Sequence, residues 1–130
     1  MSYIYFVSPV ASDPNYNAKR AALAEVEKET GQKFFFPLEE RDSFSLQATK
    51  EDLARAFLVL ADLSLERPSC YFEVGLAQAV GTQVVLIAVT GTILHQAGAT
   101  SSVRSYADLA EYRAVVRQIA SSVSKQREPP

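Results

Sequence analysis

The 130-residue sequence contains no tryptophan, a single cysteine (Cys70) and a single histidine (His95). One cysteine cannot close an internal disulfide, and one histidine beside one cysteine argues against a structural zinc site. A reducing, cytoplasmic setting is the expectation that follows. Long apolar runs are missing too. The longest, "AFLVLA" (56–61) and "VVLIAV" (84–89), reach six residues, far below the ~20 that cross a bilayer, and no signal peptide is expected ahead of them. Nor does one sign of charge dominate: thirteen basic residues face fifteen acidic ones, for a formal net charge of −2. Without a basic cluster punctuated by aromatics, duplex nucleic acid is not an expected partner. Neither Gly-x-Gly-x-x-Gly nor a Walker-type Gly-Lys-Ser/Thr occurs, which disfavours dinucleotide hydride transfer and P-loop phosphoryl transfer. No cofactor and no metal is called for.

What remains is a regular alternation of strand and helix signals. "YIYFV" (3–7) reads as a strand running into the turn-rich "SPVASDPN", and "NAKRAALAEVEKETG" (17–31) as a helix capped by Gly31. "KFFFP" (33–37) is a short strand closed by proline, and "TKEDLARA" (49–56) a short helix opened by a Thr-x-x-Asp capping arrangement. Two almost wholly apolar strands, at 57–61 and 84–89, flank the helix of "RPSCYFEVGLAQAVG" (67–81). Apolar runs without alternation mean strands covered on both faces. A connection with one helical turn, a short strand near Val103–Tyr106 and a helix over 107–125 follow. That helix repeats Leu109, Tyr112, Val116, Ile119 and Val123 on one face. The pattern predicts one α/β domain over 1–125 with a solvated tail at 126–130. Its architecture is flavodoxin-like (Rossmann-like): a doubly wound, parallel, five-stranded sheet with helices on both faces.

Glu73 breaks the pattern. With Leu76, Ala77 and Val80 it lies three, four and seven residues along one helix face, so a carboxylate heads the stripe that faces the core. Isolated there it costs several kcal/mol, roughly, unless it is partnered, protonated or open to a cleft. In parallel sheets ligands sit beyond the carboxyl ends of the strands. Here "SPVASDP", "DLSLERPS" and "TGT" should meet, bringing Asp62 at a strand end and Glu73 in the first helical turn towards one cleft. Ser69 is the expected N-cap. The bland alternatives are that Glu73 complements the helix dipole and that Asp62 orders a turn. His95 reads as a loop residue and Cys70 as a packed one.

The segment "ADLSLERPSCYFEVGLAQAVGTQVVLI" (61–87) resembles the nucleoside 2-deoxyribosyltransferase-like superfamily, with its Asp-Leu-Thr/Ser, Asn-Pro, Tyr-Glu-Leu-Gly and Gly-Lys-Pro-Val stretch. "YIYFVSP" is similar to that family's first strand. The resemblance implies cleavage or transfer of the N-glycosidic bond of a (deoxy)nucleoside or nucleoside 5′-monophosphate. Glu73 would be the nucleophile, forming a covalent glycosyl-enzyme, Tyr5 would orient it, and Asp62 would hold sugar hydroxyls or help protonate the leaving base. Ser8, Ser64, Arg67 and Ser69 would bind substrate, with Arg67 and Ser69 suited to a 5′-phosphate. Ser101 and Ser102, in the polar segment 98–106, would complete the site of a neighbouring copy in a homo-oligomer. Cleavage of an NAD-type nucleotide, and a non-catalytic nucleotide-binding or signalling module, are the alternatives left open.

Overall fold

A strand covered on both faces sends alternate side chains to opposite helix layers, and this division organises the protein. The computed structural model describes residues 2–95 and 103–127. Its elements run β1 (Ile4–Val7), α1 (Tyr16–Thr30), β2 (Phe34–Phe35), α2 (Pro37–Glu40), α3 (Leu46–Arg55) and β3 (Leu58–Asp62), then α4 (Pro68–Ala79), β4 (Val84–Val89), β5 (Arg104–Tyr106) and α5 (Leu109–Arg127). The strands form one sheet in the order β2-β1-β3-β4-β5, every neighbouring pair parallel. This is the expected flavodoxin-like order, with its switch point between β1 and β3.

Ile4 and Phe6 of β1, Leu58 and Leu60 of β3, and Ile87 of β4 pack with Ala22, Leu23 and Val26 of α1 and with Tyr112, Val116, Ile119 and Val123 of α5. The intervening Tyr5, Val7, Val59, Ala61 and Leu86 pack instead with Leu53 of α3 and with Cys70, Val74 and Ala77 of α4. Each layer is thus held by apolar burial, worth about 1.5–3 kcal/mol per large side chain. Among the described residues no helix is long and apolar enough to cross a membrane.

Helix ends follow local chemistry, not always at the expected residue. Gly31 ends α1 in the left-handed region (φ 73°) and donates its N–H to the Glu27 carbonyl at 2.9 Å, as a glycine cap should. The α3 helix starts earlier than the Thr49 arrangement suggests: Ser45 is its cap, accepting from the Ala48 N–H, and Thr49 lies inside. The α4 cap is Arg67 and not Ser69, because Pro68 suits the first helical position. Ser69 therefore sits in the first turn and Glu73 in the second. The short α2 was not expected after "KFFFP", and α5 runs on to Arg127, two residues into the expected tail.

On the α1/α5 side one polar group penetrates the sheet. Asp62, 1% exposed, accepts a hydrogen bond from the Tyr106 hydroxyl at 2.7 Å and lies 3.5 Å from Lys19 Nζ. Lys19 also reaches Asp13 at 2.7 Å and Tyr106 at 2.8 Å, tying α1 to the ends of β3 and β5. Burial works against the Lys19 charge, but the Asp13 hydrogen bond and the Asp62 charge outweigh it and raise its pKa. Lys19→Met keeps much of the apolar stem but leaves a buried carboxylate without its cation. The expected loss is about 3 kcal/mol in urea unfolding at neutral pH; an unchanged unfolding midpoint would show that the network is not a fastening.

Candidate active site

Tyr5 lies in the middle of β1 with its side chain on the α3/α4 side. Its ring is 1% exposed and stacks on Phe35 with centroids 5.3 Å apart, and Phe35 in turn stacks on Tyr3 at 4.7 Å. The fixed ring directs its hydroxyl to Glu73, donating to Oε2 at 2.5 Å. This settles why a carboxylate interrupts the buried face of α4: it has a donor from the central strand. Behind it Ala77 is buried, while Leu76 and Val80 pack half-buried against the same layer.

Burial raises the Glu73 pKa above its ordinary value, and the Tyr5 hydrogen bond pulls it back in part. Burial and then the Glu73 charge push the Tyr5 pKa far up. Tyr5 therefore keeps its proton and acts as donor throughout the working pH range. The ionised form of Glu73 is held by a short, charge-assisted bond.

The pair opens into a cleft of about 580 Å³, within the ~300–1,000 Å³ usual for small-molecule sites. Its inner wall is the end of β1, where the buried Ser8 Oγ has no hydrogen-bond partner among the described residues. Arg67 and Ser69 line it at the start of α4, the positive end of the helix dipole, which favours negative charge. The far wall is the 41–45 loop between α2 and α3. Arg41 anchors that loop to Asp52, donating from Nε at 2.9 Å and forming a second bond through Nη2. Asp52 is 3% exposed, so the anchor is a buried carboxylate matched by an arginine. Sequence reading took Asp52 for a capping residue and missed both Arg41 and Phe44. A buried-facing Asp in the middle of a helix was the available signal.

Asp62 does not join this cleft. Strand alternation puts Ala61 with the α3/α4 layer and Asp62 on the opposite side, so the two carboxylates diverge where a shared cleft was expected. Ser64 goes with Asp62. Its hydroxyl donates to Asp62 Oδ1 at 2.5 Å, lies 2.9 Å from the Tyr106 hydroxyl and accepts from the Val89 N–H at 2.9 Å. Ser64 lines a second, smaller hollow together with Lys19 and Tyr106, two residues that sequence reading also missed, and the buried Asp62 is bonded to all three. The "TGT" loop (90–92) is not part of the Tyr5–Glu73 cleft either.

Cys70 is buried, and burial pushes its thiol up to about 11, overriding the lowering expected at a helix start. His95 is a loop residue whose Nδ1 lies 3.0 Å from Glu66 Oε1. Glu66 also accepts from the Tyr71 hydroxyl at 2.8 Å, and it holds a positive φ of 49° in the turn before α4. Ser101 and Ser102 lie outside the described residues.

No protein-family model matches the chain, and no curated protein sequence does. Solved structures do match. A 2-deoxyribosyltransferase from the psychrotolerant bacterium Bacillus psychrosaccharolyticus is similar over 86% of this chain and 90% of its own, with a TM-score of 0.61 and 20% identity. A CMP N-glycosidase of Clostridium botulinum, BcmB, matches over 88% of this chain and 98% of its own, with a TM-score of 0.60 and 13% identity. A conserved protein from Enterococcus faecalis V583 matches over 98% and 99%, with a TM-score of 0.57 and 17% identity. At such identities the likeness is one of fold: this chain has the α/β architecture on which a 2-deoxyribosyltransferase and a CMP N-glycosidase are built.

Proposed function

We propose that the protein cleaves or transfers the N-glycosidic bond of a (deoxy)nucleoside or nucleoside 5′-monophosphate, with Glu73 as nucleophile. The observation that carries this reading is the 2.5 Å bond from Tyr5 to Glu73 at the floor of the cleft. The fold shared with a 2-deoxyribosyltransferase and a CMP N-glycosidase supports it. An oxygen of Glu73 attacks the anomeric carbon as its bond to the base nitrogen breaks, and the departing base takes a proton from solvent in the open cleft. A glycosyl ester on Glu73 results, which water hydrolyses or a second base intercepts. Tyr5 holds the carboxylate in line. Ser8 offers the sugar a hydroxyl that has no partner among the described residues, and Arg67 with Ser69 suits a 5′-phosphate. Asp62, engaged on the other side of the sheet, acts in this reading through the fold and not by contact with substrate.

Glu73→Gln should keep the fold and release no base from a panel of nucleosides and 5′-monophosphates followed by chromatography. Turnover at the wild-type rate would remove Glu73 as nucleophile.

The pH dependence follows from the direction of the Glu73 shift. Attack needs the ionised form, and burial sets the Glu73 pKa above the ordinary 4.5, so the acid limb of kcat/KM should lie above that value. Tyr5→Phe removes the contact that lowers this pKa. Its acid limb should therefore move to higher pH, with a rate about tenfold lower at the optimum. An acid limb that does not move would show that the two groups are uncoupled in turnover. The folded state follows the opposite sign. A carboxylate whose folded pKa is raised costs stability as pH rises from 4.5 through the raised value.

Association of two or more copies belongs to the same proposal, since an exposed glycosyl ester needs shielding from water if transfer is to compete with hydrolysis. Light scattering at micromolar concentration should show more than the monomeric mass; a fully active monomer removes this part.

A further inference from the structure

Phe44 and Phe72 are among the most exposed large apolar side chains described, at 70% and 50%. They are not scattered. Phe44 comes from the 41–45 loop, just before the Ser45 cap, and Phe72 directly precedes Glu73 on α4. Their rings meet edge to face with centroids 6.2 Å apart, and both line the cleft that holds Tyr5 and Glu73. The loop that presents Phe44 is fastened at both ends, by Arg41 to Asp52 and by Ser45 to the first turn of α3. An aromatic ring held in water on a tethered loop, across a catalytic cleft, lacks a partner surface rather than a place in the core.

We infer that Phe44 and Phe72 form the nucleobase platform of the site, an inference that rests on the proposed glycosidic chemistry. When Glu73 attacks the anomeric carbon, the leaving group must depart on the side away from the carboxylate, towards the cleft mouth and these rings. The ligand that suits them is flat and delocalised. Phenylalanine rings offer no donor or acceptor pattern, so this contact selects for a π-faced leaving group and not for one particular base. An edge-to-face pair also leaves ring face available for stacking.

The test compares substrates with and without a base. Phe44→Leu keeps apolar bulk but removes the ring. It should raise KM for nucleosides about 5–100-fold with kcat little changed, and leave turnover of the corresponding glycosyl fluoride, which has no base, unaltered. Phe44→Tyr should restore KM. Unchanged nucleoside KM in Phe44→Leu, or an equal loss on the glycosyl fluoride, overturns the platform. So does a change of oligomeric state in Phe44→Leu with nucleoside affinity intact, which would make the rings a contact between copies. Calorimetric binding of nucleosides and 5′-monophosphates separates this inference from the reading beneath it. Binding by the wild type that weakens in Phe44→Leu, without release of base by either, would uphold the platform and sink the glycosidase. Base release with unaltered binding in Phe44→Leu would do the reverse.

Discussion

The hydrogen bond from Tyr5 to Glu73 is the constraint around which one half of the protein is arranged. A carboxylate on the core-facing side of α4 is expensive to desolvate, and a single strong donor offsets much of that cost only if it cannot swing away. The stack of Tyr3, Phe35 and Tyr5 removes that freedom, and the parallel pairing of β1 with β3 sets the height of Tyr5 against α4. The cleft exists because the loops after β1 and β3 part at the switch point, and the half-buried acid sits where they part. Packing, polarity and opening are therefore one arrangement.

The opposite side of the sheet solves a similar problem by other means. Asp62 is more deeply buried than Glu73, and it is satisfied by Lys19, Tyr106 and Ser64 together. Such a saturated network has nothing left to offer a ligand. Among the described residues Glu73 has one donor, Tyr5, and the Ser8 hydroxyl has no partner, so both still have bonding capacity. Capacity left over, more than burial or charge, separates the open side of the sheet from the closed one.

The fold was legible because its signals are local and repeated. Six-residue apolar runs mark β3 and β4 as covered strands, and Gly31 marks the end of α1. Glu73 was legible for the same reason, as a charge at a position where periodicity calls for an apolar residue. Asp62 was misplaced by one step of strand alternation: the sequence puts it at a strand end but not on a face, and only the packing of Ala61 against α4 decides that. Lys19, Tyr106 and Phe44 were invisible because each acquires its role from a partner far along the chain, and Arg41 because its bond to Asp52, though local, depends on how the loop before α3 folds back. Ser69 resembles a cap because a serine ahead of an apolar helical run is a common N-cap, yet Pro68 fits the first helical position and moves the cap back to Arg67.

The bond between Tyr5 and Glu73 joins groups 68 positions apart, and that separation bears on how the molecule comes to be. β1 lies between β2 and β3 in a sheet whose strand pairs are all parallel, so the first strand made is seated only after two crossovers have been synthesised and folded back. During synthesis Tyr5 must wait, without its partner, until α4 has left the ribosome. Assembly of the Tyr5–Glu73 pair is thus a late event in a slow, non-local topology. Any lesion that delays docking of β1 postpones the centre of the sheet and the birth of the site together.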